Sequence, residues 1–138
     1  MKKIILVVSL LAFSLANAQT KDYVGKWELC KIVTAKGDTI HIKSSDVRYI
    51  TYNFEYNNTF TSFVKEKDEE ATGRWGFDFA AKMIKIKNPV YTKTKNKIGD
   101  YGIVIHQITP INLVEAREEK KKQFSYWIYC RHCLRGGI

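Results

Sequence analysis

The stretch of residues 48–64, RYITYNFEYNNTFTSFV, decides the fold class. Apolar side chains stand at alternate positions of its first half and are predicted to share one face of a β-strand. They are Ile50, Tyr52, Phe54 and Tyr56. Asn57-Asn58 follows, and asparagine tolerates the left-handed conformation that a tight turn needs. The stretch therefore predicts a β-hairpin whose second strand covers residues 60–64.

The length of the turn leaves the register of this hairpin open. A two-residue loop would place Phe60 opposite Glu55. One extra loop residue would instead place Phe60 beside Tyr56 on the apolar face.

Similar short segments continue on both sides of the hairpin, separated by turns, and helical periodicity is weak after residue 19. The further predicted strands cover residues 27–33, 73–78, 83–87, 101–109, 113–117 and 124–131. Consecutive strands usually pair, which favours up-and-down order. Closing the sheet removes both unpaired edges. The sequence therefore predicts an all-β fold with about eight antiparallel strands closing into a barrel, and a two-sheet sandwich is the alternative.

Length and composition agree with a single folded domain. The chain has 138 residues, of which 13% are aromatic, and a formal net charge of +9. This length leaves no room for a second domain. The aromatic content excludes a mainly disordered chain.

The N-terminus has the pattern of a secretory signal peptide. Lys2 and Lys3 precede the apolar run 4–15, and Ala16-Asn17-Ala18 forms an A-x-A site. The run is shorter than the ~20 residues of a membrane-spanning helix. We therefore predict a signal peptide at 1–18, a single domain at 19–138, no transmembrane segment after its removal, and a periplasmic or extracellular location.

An oxidising location makes a disulfide expected among Cys30, Cys130 and Cys133. If the barrel closes, the first and last strands are neighbours, and Cys30 and Cys130 would both lie opposite the face of Trp27 and Trp127. We prefer the Cys30–Cys130 pairing, with Cys133 free, over the other two pairings.

Several short motifs resemble those of a known family. Gly25-Lys26-Trp27 resembles the G-x-W motif that opens the first strand of lipocalins, and Arg131 stands where that superfamily often places an arginine over this tryptophan. With Gly73-Arg74-Trp75 and Leu113-Val114, the chain resembles small bacterial secreted lipocalin-like domain proteins. The resemblance implies a barrel that binds a small hydrophobic or amphipathic ligand. Independently of it, a guanidinium over an indole face gains a cation–π contact.

The candidate ligand site is the aromatic interior of the barrel, in which tyrosine hydroxyls and an arginine would orient a polar group. The candidate lining residues are Trp27, Leu29, Tyr52, Phe54, Trp75, Phe77, Trp127, Tyr129 and Arg131.

The alternative function is a filled barrel that acts as an envelope interaction module. Its basic surface would bind an anionic partner, an acidic protein or a glycan, and not nucleic acid, which is not the usual partner of an exported protein. The candidate residues are Lys85, Lys87, Lys93, Lys95 and Lys97. No acid, base and nucleophile converge in the sequence, so we expect a non-enzymatic protein without catalytic residues, cofactor or metal.

Overall fold

The structure is a computed structural model that describes residues 22–131. Nine strands account for most of these residues, with one 3-10 helix, Lys65–Lys67, between the fourth and fifth. The strands are β1 Gly25–Val33, β2 Thr39–His41, β3 Ile50–Phe54, β4 Thr59–Val64, β5 Glu69–Asp78, β6 Met83–Tyr91, β7 Tyr101–Ile108, β8 Asn112–Lys120 and β9 Gln123–Arg131. The signal peptide predicted at 1–18 and the thiol of Cys133 lie outside the described residues.

Eight of the described strands form a closed barrel. From β3 to β9 each strand pairs antiparallel with the next, and β1 pairs with β3 on one side and with β9 on the other. This confirms the predicted up-and-down barrel. The ninth strand, β2, was not predicted. It pairs with residues Lys31 to Val33 of β1, beyond the part of β1 that pairs with β3. Within residues 22–131 no helix has the length and hydrophobicity needed to cross a membrane.

The β3–β4 hairpin has the longer of the two turns considered above. The Glu55 amide donates to the Thr59 carbonyl at 2.9 Å, and Asn58 adopts a left-handed conformation with φ 65°. Phe60 therefore pairs with Phe54 on the apolar face. The prediction that Tyr56 shares this face is wrong, because Tyr56 belongs to the turn and is 77% exposed.

One half of the barrel interior is filled by large side chains. Trp27, Leu29, Phe54, Phe60 and Tyr129 have no exposed surface. The Phe54 ring stacks on Phe60 with centroids 5.2 Å apart and meets the edge of Trp75 at 5.4 Å. Eight-stranded barrels have interiors of about the size that side chains can fill, and aromatic rings fill this one.

Arg131 closes the filled end of the barrel, which we call the floor. Its guanidinium lies 4.1 Å from the centre of the Trp27 ring. Its three nitrogens donate to the carbonyls of Pro110, Val24 and Asp22 at 2.9, 2.6 and 2.9 Å. Gly25 has φ +132° and would direct a Cβ into the Arg131 side chain, so glycine is required at this position.

The pairing of β1 with β9, which we call the seam, also carries a disulfide. Cys30 and Cys130 are joined, with Cα atoms 5.9 Å apart. The register shifts between Leu29 and Lys31, so Cys30 occupies a β-bulge that faces away from the interior. The seam is thus held by main-chain pairing, by Arg131 and by a covalent bond.

We predict that Arg131→Met lowers the free energy of unfolding by about 2 kcal/mol, because three carbonyls lose a charged donor and Trp27 loses its cation. Urea unfolding followed by tryptophan fluorescence measures this. Lys121→Met removes an exposed charge in the β8–β9 turn and should change the value by less than about 0.5 kcal/mol. Equal effects of the two substitutions would contradict the role given to Arg131.

Candidate functional site

The barrel end opposite the floor, which we call the mouth, contains an open cavity of about 250 Å³. The mouth is formed by the β4–β5, β6–β7 and β8–β9 connections and by residues 42–49. Side chains of β3, β4, β7, β8 and β9 line the cavity, with three residues at its rim. The lining residues are Ile50, Tyr52, Ser62, Val64, Tyr101, Arg117 and Trp127, and those at the rim are Val47, Arg48 and Glu66.

A cluster of polar side chains lies inside the barrel at the base of this cavity. Glu115 is only 7% exposed, and its Oε1 accepts hydrogen bonds from the Tyr129 hydroxyl at 2.9 Å and the Tyr52 hydroxyl at 3.3 Å. Arg117 donates from Nη2 to the same oxygen at 3.3 Å, and its Nε lies 3.2 Å from Oε2. A buried carboxylate needs such partners, because burial without them costs several kcal/mol.

Arg117 connects this cluster to the open cavity. Its guanidinium lies 3.7 Å from the centre of the Trp127 ring, and Trp127 is oriented by a hydrogen bond from its Nε1 to Ser125 Oγ at 3.1 Å. Within residues 22–131, Nη1 of Arg117 has no hydrogen-bond partner. Burial opposes the charge of Arg117, but Tyr129, Tyr52 and Glu115 raise its pKa above the usual value. The cavity therefore contains a fixed cation with a donor to spare.

The tyrosines around the cavity are neutral hydrogen-bonding groups at pH 7. Burial raises the pKa of Tyr52, and the nearby Glu115 raises it further. Burial and then the neighbouring Tyr52 raise the pKa of Tyr129 in the same way. Burial also raises the pKa of Tyr101 to about 12.

The structure separates the predicted lining residues into groups. Only Tyr52 and Trp127 border the mouth cavity. Phe77 instead borders a depression of about 410 Å³ near the floor, where it stacks on Tyr23 at 4.7 Å. The other six do not border the mouth cavity. Trp27, Leu29, Phe54, Trp75 and Tyr129 are buried, with the Tyr129 hydroxyl in the polar cluster, and Arg131 closes the floor.

Sequence reasoning missed Ser62, Tyr101, Glu115 and Arg117. The available signal was in β8, where Leu113 is fully buried and the same face continues with Glu115 and Arg117. Alternation places these charged residues on the face of Leu113, that is, inside the barrel.

The lysines of the predicted basic surface do not form one site. Lys85 and Lys87 lie on the outer side of β6, whereas Lys93, Lys95 and Lys97 belong to the β6–β7 connection at the mouth. Lys93 Nζ lies 4.0 Å from Asp68 and Lys87 Nζ lies 3.9 Å from Asp100, between exposed side chains. Such contacts contribute little to stability. No group of three His, Cys, Asp or Glu side chains within residues 22–131 is placed to hold a metal ion.

We predict that Arg117→Met lowers the free energy of unfolding by about 2 kcal/mol, because the Glu115 carboxylate then stays buried without its cation. The double variant Glu115→Gln/Arg117→Met removes the unpaired charge and should recover part of the loss. Urea unfolding at pH 7 measures both. A double variant less stable than the single one would contradict this account.

We predict that the barrel loses stability as the pH rises above about 10, the usual pKa of tyrosine. The unfolded chain loses the protons of Tyr52 and Tyr129 first, because the folded state holds their pKa values higher. The free energy of unfolding should therefore fall by about 1 kcal/mol per pH unit for each residue. Urea unfolding between pH 9 and 11.5 measures the slope.

The Tyr52→Phe/Tyr129→Phe variant should show a shallower alkaline slope than the unsubstituted protein. Tyr56→Phe, at an exposed turn position, is the matched control and should keep the full slope. Equal slopes for both variants would contradict the assignment to the buried pair.

Comparison with known proteins supports the fold. The chain matches no protein-family model and no curated protein. Among solved structures it is similar to the crystal structure of a lipocalin-like protein from Bacteroides uniformis, with a TM-score of 0.51 and 15% identity. The match covers 80% of this chain and 98% of that chain. Together with the closed eight-stranded barrel of β1 and β3–β9, this likeness shows that the chain has a lipocalin-like fold.

Proposed function

We propose that this protein binds a small amphipathic molecule in the mouth cavity. The observation that supports this proposal most directly is the position of Arg117. This residue lines the cavity with its Nη1 unpartnered, while its other donors contact the buried cluster. A site with a fixed donor beside apolar walls is typical of small-molecule binding.

The lining favours a ligand with an apolar body and one polar group. Ile50, Val64 and the Trp127 ring offer apolar surface, whereas Arg117 and Tyr101 offer donors. The volume of about 250 Å³ lies just below the ~300–1,000 Å³ of typical ligand pockets. The ligand is therefore small, since the filled half of the barrel offers it no depth.

The proposed role is binding and not catalysis. Glu115, the carboxylate at the base of the cavity, accepts from two phenols and pairs with a guanidinium, so its oxygens are committed to structure. A general base needs an oxygen within reach of the proton that it removes.

We propose further that the protein acts outside the cytoplasm. The signal-like pattern of residues 1–18 supports this proposal. The Cys30–Cys130 disulfide also supports it, because structural disulfides persist mainly in oxidising compartments.

The test uses octanoate and 1-octanol as probes and tryptophan fluorescence as the readout. Ser62→Leu places a larger side chain in the cavity and should weaken binding of both probes at least tenfold. Thr61→Leu, on the same strand but on its outer face, is the matched control and should stay within twofold. Absence of binding, or equal loss in both variants, would overturn the cavity as the ligand site.

Two further variants locate the bound probe. Trp127→Phe should remove most of the fluorescence change, because Trp127 borders the cavity whereas Trp27 is 0% and Trp75 only 3% exposed. Replacing Lys93, Lys95 and Lys97 by glutamine should leave the affinity for uncharged 1-octanol unchanged. Binding of an acidic protein or a glycan by those lysines stays a prediction.

A further inference from the structure

Another concave site lies on the outer surface of the barrel, away from the mouth cavity. It is a groove of about 320 Å³ over β5 and β6, which we call the outer groove. Its basic side chains are Arg74, Lys85 and Lys87. The other residues that border it are Asn58, Trp75, Gly76, Phe77 and Asp78.

The strand register brings these cations together. Arg74 pairs directly with Lys87, and Gly76 pairs with Lys85. The register shifts between Thr72 and Arg74, and this β-bulge places Lys87 opposite Arg74. Like charges directly opposite each other destabilise a sheet. The arrangement is therefore unfavourable unless an anion occupies the space between them.

The nearby carboxylates offset only part of the charge of these three cations. Asp78 borders the groove and accepts a hydrogen bond from the Ala81 amide at 3.1 Å, and Asp100 accepts one from the Asn88 amide at 2.8 Å; both keep their negative charge. Within residues 22–131, Arg74 and Lys85 make no ion pair, and Lys87 makes one, between its Nζ and Asp100 Oδ2 at 3.9 Å. Arg74, Lys85 and Lys87 outnumber Asp78, the carboxylate that borders the groove, so the groove keeps a net positive charge.

Gly76 provides the space for a ligand. A Cβ at this position would have no heavy atom within 4 Å, so the surface between Arg74 and Lys85 is open. Lys85 and Lys87 stand two residues apart on one strand, which separates their Cα atoms by about 7 Å. A group of a few heavy atoms fits between three cations at this spacing.

We propose that the outer groove binds a phosphate group. A phosphate offers several oxygens to donors from different directions, and the planar fork of arginine binds two of them at once while lysines add point charges. The site is separate from the mouth cavity and does not depend on the function proposed for it.

The test is titration with inorganic pyrophosphate followed by amide NMR. The Gly76 and Lys87 signals should shift saturably. Arg74→Gln/Lys87→Gln should weaken the binding at least tenfold, whereas Lys93→Gln/Lys95→Gln loses the same charge in the β6–β7 connection and should stay within twofold. Gly76→Val fills the open space with a residue suited to strands and should also weaken binding tenfold.

Binding to phospholipid vesicles shows whether the phosphate group belongs to a lipid head group or to a free phosphate compound. Binding to phosphatidylglycerol vesicles but not to phosphatidylcholine vesicles, lost in Gly76→Val, would assign the groove to a lipid head group. Pyrophosphate binding without vesicle binding would assign it to a free phosphate compound. If neither probe binds, or if both charge variants lose affinity equally, the proposal is overturned.

Discussion

The pairing of β1 with β9 is the constraint on which the rest of the structure depends. It brings Trp27 opposite Arg131 and Leu29 opposite Tyr129, and so creates the floor and one wall of the interior. Without it the sheet would have two free edges, and the Tyr52 hydroxyl of β3 would have no fixed position near Glu115 of β8. A cation–π contact, three hydrogen bonds to carbonyls and a disulfide all reinforce this one pairing.

The interior is divided between two kinds of packing. Toward the floor, rings such as Phe54 and Phe60 fill the space and leave it apolar. Toward the mouth, Glu115 and Arg117 occupy inward positions, where they contact phenols and each other. A polar cluster of this kind orders side chains only when its members are satisfied. The proposed ligand site exists where this cluster meets solvent, because there one donor of Arg117 is left over.

The sequence predicts the strands, their order and the barrel closure, because alternation and short turns are local signals. The stacking of Arg131 on Trp27 follows from closure, since it needs only the first and last strands to be neighbours. The loop length of the β3–β4 hairpin could not be predicted from the sequence, and that length decides whether Phe60 or its neighbour faces inward. The opposition of Arg74 and Lys87 could not be predicted either, because it depends on a bulge between paired strands. Glu115 was missed for a different reason: a charged residue in a strand is usually solvated, and alternation alone does not give its partners.

Arg131 contacts the Asp22 carbonyl, so the two ends of the described chain lie side by side at the floor. Adjacent ends would allow a barrel made of residues 22–131 alone to be circularly permuted. A short linker could join them, and new termini could be opened at the exposed Lys121-Lys122 turn far from the floor. The barrel would then keep every strand neighbour while its order of synthesis changed, so β9 would be made before β1.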